Sequence, residues 1–552
     1  MIRLPKEGEE VPTEAAPSVA LVSDFPSRPT PAEERRKLLE LGTGSVAWDP
    51  AEELWRVPVP PDRWTEAAAF VGESLHHPLS TFFGEDARRL HGGIRVHALF
   101  LDTLPSGGVH LLCALDPGRP NLPTLSRTLP YVAPFEREVA EMFGVVFDGS
   151  EDRRPLLLHE RHPAPPLLKG PASPPDGQRV DYPFAPVEGE GIYEVPVGPV
   201  HAGVIEPGHF RFQVVGEKIL NLEVRLGYTH KGTERLFEGK PSALGTVWAE
   251  SVSGDMSVAG AVAYTHAVER ALEIPVRPAD ELVRGVLLET ERIAFLCGDV
   301  AGIALDVGYP VGAAEANRLR EAAYQVLRGL TGSRLGRGIV GIGGLRRPVT
   351  VRSAAELERF YEGIAERIED LREQLIGKSS VLDRLQGTGT IPRWTAELMH
   401  FVGPTARASG LRIDVRHDRP YGAYLGQEVR VPRGIDGDVQ ARLVVKVEEI
   451  VEACRLARRF LPGAVEAGTP ANEVLHAPPS EGRSGLGWVE SPRGEFLVHV
   501  TLGPGARLER VYVRDPSFLN WPAIEFAVRE NIVPDFPLCN KSLNLSYSGY
   551  DR

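Results

Sequence analysis

Residues 443–461 read LVVKVEEIVEACRLARRFL, and within them Leu443, Val447, Ile450, Cys454, Ala457 and Leu461 recur at steps of four and three. That period places six apolar side chains on one helical face. The alternation of four and three suits a helix lying nearly parallel to its neighbour. Pro462 should end it, because proline lacks an amide donor and its ring clashes with the preceding turn. Upstream, Ser353 and Glu356 form a capping box ahead of Leu357, Phe360, Ile364, Ile368, Leu371 and Leu375, so a second long amphipathic helix begins there. Val258 to Leu272, rich in alanine and carrying Gly260, predicts a third helix able to pack closely, and Leu282 to Leu296 a fourth. With β-like segments at Phe210 to Val215 and Lys218 to Val224, residues 191–552 are expected to form a helical bundle with β-elements near both ends.

Further toward the N-terminus the period changes to two. Ile94, Val96, Ala98 and Phe100 alternate with other residues, a Pro105-Ser106-Gly107-Gly108 turn follows, and Val109, Leu111, Cys113 and Leu115 alternate again. This predicts a β-hairpin with one buried face. With helical patterns at Trp64 to Leu75 and Pro134 to Phe143, residues 49–161 read as a small α+β domain. Eight prolines between His162 and Val187 mark 162–190 as an extended linker. The first 31 residues hold six prolines and few aromatics, so 1–48 is expected to be a flexible arm. The fold class is therefore α+β, two modules joined by a proline-rich linker.

Composition narrows the function. The formal net charge is −13, from 62 Lys and Arg against 75 Asp and Glu, with no basic block, which disfavours nucleic-acid binding. The four cysteines Cys113, Cys297, Cys454 and Cys539 lie far apart, so a disulfide framework is excluded and a reducing compartment favoured. They read as small core residues. No apolar run approaches the length of a membrane span, and the first residues lack a signal-peptide pattern. Any work at a membrane is expected to run through partners. Neither a dinucleotide fingerprint nor a phosphate loop occurs, so direct NADH or nucleotide binding has no support.

The string Phe135-Glu136-Arg137-Glu138-Val139-Ala140-Glu141-Met142-Phe143-Gly144-Val145, followed by Phe147-Asp148-Gly149 and Asp152-Arg153-Arg154-Pro155-Leu156-Leu157, resembles the 30-kDa subunit family of respiratory complex I. The second module resembles the 49-kDa subunit family and the large subunit of membrane-bound energy-converting [NiFe] hydrogenases of the formate hydrogenlyase type. The supporting strings are Gly198-Pro199-Val200-His201, Glu206-Pro207-Gly208-His209-Phe210, His230-Lys231-Gly232-Thr233-Glu234, Thr331-Gly332-Ser333-Arg334, Gly403-Pro404 with Arg407-Ala408-Ser409-Gly410, Glu490-Ser491-Pro492-Arg493-Gly494-Glu495, and Asp515-Pro516. The resemblance implies a hydrogenase-large-subunit-like helical bundle. It also implies a peripheral subunit on the cytoplasmic side of the cell membrane, docked on an iron-sulfur small subunit with a [4Fe-4S] cluster and on proton- or cation-translocating membrane subunits.

A hydrogenase large subunit holds nickel and iron with two pairs of thiolates. The first pair corresponds here to Ser253 and Met256, the second, after Asp515-Pro516, to Ser517 and Asn520. A protonated hydroxyl, an uncharged thioether and an amide are poor donors to a soft metal, so no nickel-iron centre of the usual kind is expected. In complex I the same cavity takes a quinone headgroup between a histidine and a tyrosine. His201 corresponds to that histidine, His209 follows an insertion, and Gly254 occupies the tyrosine position. His201 and His209 read equally as turn histidines or, flanking Glu206, as a proton-accepting pair. Glu206, His230, Glu234, Asp255, Arg493 and Asp515 complete a candidate proton-handling set. Asp255, in a Ser-Gly-Asp turn, also reads as a helix N-cap, and His230 and Glu234 would share a face if their segment were helical. Two functions follow: an oxidoreductase subunit passing electrons from the partner's cluster to a quinone-like acceptor, or a redox-silent coupling subunit. An active hydrogenase is the third and weakest.

Overall fold

The computed structural model describes residues 31–43, 46–101, 107–170, 174–203, 205–349, 353–465 and 481–552. The first module is a five-stranded sheet of β1 (Ala47–Asp49), β2 (Leu54–Pro58), β3 (Leu79–Asp86), β4 (Ile94–Leu101) and β5 (Gly108–Leu115), in the order β1-β2-β5-β4-β3. β2 and β5 run parallel and the other neighbours antiparallel. Helix α1 (Pro31–Leu41) precedes it and α2 (Ala133–Phe143) packs against β3. The expectation of a flexible arm to residue 48 is thus corrected over the described residues 31–43 and 46–48, because Leu38 and Leu41, three apart on α1, are buried with Val57 and Trp64 and β1 begins at Ala47. Residues 1–30 and the turn at Pro105-Ser106 lie outside the described residues.

The second module opens with the antiparallel meander β6 (Ile192–Val197), β7 (His209–Val215) and β8 (Lys218–Arg225) and closes with another, β9 (Ser484–Ser491), β10 (Gly494–Leu502) and β11 (Leu508–Arg514). Between them lie the long helices α3 (Ser257–Leu272), α4 (Pro278–Asp306), α5 (Pro310–Thr331), α6 (Ala354–Ile376) and α7 (Val439–Val465). Ser353 caps α6, its hydroxyl accepting from the Glu356 amide at 3.2 Å. α4 lies at the centre, packed against α5 and α7, and runs well beyond the 282–296 of the apolar pattern. α7 passes through Pro462 instead of stopping. The proline stands in the last turn, exposed, where few intrahelical bonds remain to be broken.

Helix α3 lies directly on β9. Side chains there are excluded: a Cβ on Gly487 would come 2.7 Å from the Ala267 nitrogen, and one on Gly485 2.8 Å from that of Ala271. Gly260, on α3, likewise admits the backbone of Ala249.

The hairpin β4–β5 is buried on both faces, not one. Its second face is covered by the other module: Phe83 on β3 stacks on Tyr512 of β11 with ring centroids 4.5 Å apart, and Leu54, Leu99 and Leu101 belong to the core of the helical module. Polar ties reinforce the seam. Arg510 Nε donates to Gly84 O at 2.9 Å, Arg552 pairs with Glu138 of α2, and Arg89 with Glu509. The proline-rich stretch contains no helix among its described residues and folds back on itself, the Arg161 amide donating to Gln178 O at 2.8 Å.

Candidate functional site

A cavity of about 450 Å³ lies where the β6–β7 connection, the turn before α3, helices α4 and α5, the β9–β10 turn and the segment 544–548 meet. Ile205, Phe295 and Leu545 give it an apolar side; Glu206, Asp255, Asp299, Arg320 and Arg493 give it charge. Gly254 forms part of the wall and carries no side chain into it.

Several of the sequence candidates converge here. Arg493 Nη1 and Nη2 donate to the two carboxylate oxygens of Asp255 at 2.9 and 2.8 Å, and its guanidinium lies 4.4 Å from the Phe295 ring centroid. Burial pushes the Asp255 carboxyl up, but the Arg493 charge and its hydrogen bonds, with smaller contributions from the local backbone and Arg320, together hold the group below the usual range. Asp255 does not cap α3, as its turn suggested; Met256 stands at the N-cap without a side-chain hydrogen bond. The arginine outcompetes local capping because it offers two charge-assisted bonds. Glu206 accepts from the Ser548 amide at 3.1 Å.

His201 stands behind the cavity wall. Its Nδ1–H donates to Pro199 O at 3.2 Å, leaving Nε2 to accept from the Tyr547 hydroxyl at 3.4 Å. Tyr547 lines the cavity and is pushed up by burial. His209 does not join it: it faces Phe184, ring centroids 5.3 Å apart, and burial lowers its pKa. The expected pair flanking Glu206 is therefore not assembled, since His209 begins strand β7 while His201 sits in the loop before it.

His230 and Glu234 do not share a helical face. The helix spans Thr233–Phe237 after Gly232 at φ 64°, and His230 precedes it, donating to Asp551 O at 2.6 Å. Glu234 turns to the module seam, with Arg510 Nη1 at 2.7 Å and Arg552 Nη1 at 3.3 Å. Asp515 is fully buried and caps the short helix Pro516–Asn520 through the Ser517 amide at 2.8 Å.

Of the four positions matched to metal ligands, three are engaged in other hydrogen bonds and the fourth packs in the core. Ser253 Oγ donates to Asp515 Oδ2 at 2.7 Å and lies 2.9 Å from Ser546 Oγ; Ser517 Oγ accepts from the Ser546 amide at 3.0 Å. Asn520 accepts from the Val402 amide at 2.9 Å and donates to Val402 O at 3.0 Å, while Met256, 1% exposed, packs in the apolar core.

Residues that sequence reasoning missed also line the cavity. Asp299, on α4, pairs with the buried Lys446 of α7 and accepts from the Asn544 side chain. Burial raises Asp299 and lowers Lys446, and each opposes the shift of the other. The signal was available: Asp299 is a lone carboxylate within the apolar run from Phe295 to Ala301. Tyr547 had none, lying in a polar C-terminal stretch with no period.

Residues 57–174 match the family model of the respiratory-chain NADH dehydrogenase 30 Kd subunit, and residues 306–484 and 471–552 match that of the 49 Kd subunit. Over 519 residues the chain is 30% identical to formate hydrogenlyase subunit 5 of Escherichia coli K12, covering 92% of this chain and 90% of that one. It is 28% identical over 384 residues to NADH-quinone oxidoreductase subunit 4 of Thermus thermophilus, covering 64% and 93%. It is 30% identical over 377 residues to membrane-bound hydrogenase subunit alpha of Pyrococcus furiosus, covering 65% and 87%. Among solved structures, a chain of the membrane-bound sulfane sulfur reductase, an archaeal respiratory membrane complex, shares the fold with a TM-score of 0.60 at 22% identity, over 67% of this chain and 100% of that chain.

Proposed function

Because this chain belongs to the family that includes formate hydrogenlyase subunit 5 and the complex I 30-kDa and 49-kDa subunits, we propose that it is an electron-delivering subunit of a membrane-bound respiratory complex that reduces a quinone-like acceptor in its cavity. The observation that carries this reading is the cavity itself: about 450 Å³, within the usual range of ligand pockets, with an apolar side and convergent polar groups. Reduction of a quinone to a quinol takes two electrons and two protons. The electrons come from a [4Fe-4S] cluster in an iron-sulfur small subunit. Tyr547, backed by His201, and the Asp299–Lys446 pair are positioned to hand over protons. Proton- or cation-translocating membrane subunits complete the assembly, with this chain peripheral on the cytoplasmic side. No helix among the described residues is long and apolar enough to cross a membrane, which fits attachment through partners.

The residues at the four hydrogenase ligand positions do not fit a nickel-iron centre. None supplies a thiolate, and three of them already use their polar atoms in the bonds given above. This supports a function without hydrogen chemistry.

The test is acceptor turnover by the complex purified in native lipids. Gly254→Phe places a ring at the cavity wall, where an added Cβ meets Arg337 Nη2 at 3.1 Å and nothing else within 4 Å. This variant and Tyr547→Phe should each lower turnover at least tenfold with assembly intact. Unchanged turnover in an assembled Gly254→Phe complex would leave the redox-silent coupling role as the correct reading.

A further inference from the structure

Away from that cavity, five titratable side chains are sealed inside the seam between the modules. Glu52 precedes β2, Glu85 lies on β3, His97 on β4 and His110 on β5, all in the first module; His499 lies on β10 of the second. None is more than 1% exposed. Four of them form a chain: Glu52 Oε2 to His110 Nδ1 at 2.6 Å, His110 Nε2 to His97 Nδ1 at 2.9 Å, and His97 Nε2 to Glu85 Oε2 at 3.2 Å. His499 Nε2 reaches the other oxygen of Glu52 at 3.0 Å, and Ser484 Oγ donates to that same oxygen at 2.7 Å.

Counting protons exposes a deficit. The chain has three contacts, each needing a proton or another cation between its two lone-pair atoms. Two neutral imidazoles supply two protons, and ionised carboxylates supply none. With His97 and His110 neutral, one contact is left with two lone pairs facing, and the cluster keeps two buried negative charges. The nearby cations stand at the rim: Arg56 is held by Asp49 at 3.0 Å and Ser484 Oγ at 3.2 Å, and Arg95 approaches from the Glu85 side.

The missing charge has a definite place. A ligand atom from each of Glu52, His110 and His499 lies within 4.8 Å of the other two. We propose that Glu52, His110 and His499 bind one divalent transition-metal ion, Zn2+ by its chemistry, that clips the two modules together. Two imidazole nitrogens and one carboxylate oxygen suit zinc, which imposes no d-electron geometry, with Ser484 Oγ or water completing the tetrahedron. The ion replaces the proton missing between Glu52 and His110, and its two charges cancel those of Glu52 and Glu85. The rest of the chain then has its support in order. His110 Nε2–H donates to His97, and His97 Nε2–H donates to Glu85, the carboxylate-to-histidine backing that metal-bound imidazoles use. The other histidine-carboxylate group, His266, Glu269 and Glu281, already holds a cation in contact with both carboxylates, Arg284, which donates to Glu269 at 2.6 Å and Glu281 at 2.8 Å.

The experiment uses the full chain loaded with ZnCl2, desalted and analysed for metal. One zinc per chain is expected, with affinity falling about a hundredfold in His499→Gln, tenfold or more in the positioning variant His97→Gln, and unchanged in His266→Gln. Co2+ in place of zinc should give visible d–d bands, and X-ray absorption at the zinc edge a coordination shell of nitrogen and oxygen with two imidazoles, readouts that need no variant to fold. A folded chain that retains no zinc and shows no Co2+ bands overturns the proposal and leaves a shared proton in the gap. Zinc retained equally by a folded His499→Gln chain, or a sulfur-containing shell, overturns it as well.

Discussion

Replacing Lys446 by methionine leaves Asp299 as a buried carboxylate beside the cavity with no cation in contact. Both residues are 2% exposed, and the ammonium lies directly against Asp299 Oδ2. Breaking such a pair from one side costs about 3–5 kcal/mol, whereas replacing both partners is close to neutral. For the two modules, which share one interior, about 500 residues at roughly 2.1 cal/mol/K each give an unfolding entropy of about 1.1 kcal/mol/K, so the loss lowers Tm by about 3–5 °C. Asp299→Asn should cost a similar amount, and the double variant about 1 °C or less. The two single variants should also carry opposite pH slopes. In Lys446→Met the folded state holds the Asp299 proton more tightly than the unfolded chain, so stability falls as pH rises; in Asp299→Asn the unfolded chain holds the Lys446 proton more tightly, so stability rises with pH. Calorimetry of the four proteins across pH measures both effects. Additive Tm losses, or slopes of the same sign, would refute the reasoning.

Three further outcomes are expected. Glu291, which accepts from the Val258 and Ala259 amides at 2.7 and 3.0 Å, is pushed by burial up to about 8; its contribution is full below the unfolded carboxyl pKa of about 4.3 and is lost as pH rises through about 8, so Glu291→Gln should flatten the fall in Tm over that window. Gly549→Ala sets a Cβ 2.5 Å from Ser253 Oγ and against Asp515, and should cost about 1–3 kcal/mol by thermal melting and disturb the 544–548 wall of the cavity. Arg552→Ala removes the guanidinium shared by Glu138, Glu234 and Val513 O, and should cost about 3–5 kcal/mol and speed proteolysis within 162–190.

The long helices were legible because their apolar faces repeat within one segment, and a capping residue marks where α6 begins. What one segment meets was not legible. The hairpin showed alternation on one face, yet Leu99 and Leu101 belong to a second core whose other members lie mostly beyond Phe237, and Phe83 on the neighbouring β3 stacks on Tyr512. The candidate site divided in the same way. Arg493 and Glu206 reach the cavity, each in a string that also carried the family resemblance, and Asp255 joins them from the turn before α3. His209, His230 and Glu234 carried equally suggestive neighbours, but a strand start, a positive φ at Gly232 and a seam arginine turn them elsewhere. Asp255 misled for a related reason: turn chemistry predicts a local cap, and a side chain from 238 residues away offers a stronger partner. The cluster around Glu52 escaped because its five members come from five separate segments.

The seam also changes what the proline-rich stretch is for. A connector between independent bodies sets their spacing, but here the bodies already share side chains across a continuous interior. The stretch acts before the seam exists. It keeps two folding surfaces at an effective concentration in the millimolar range, so that docking is intramolecular and each helical module receives one partner sheet, its own. Once docked, the covalent connection is redundant, and the apolar face of β3–β5 has no separate existence in water. Stoichiometry between the two modules is thereby fixed at translation and does not depend on how much of either is made.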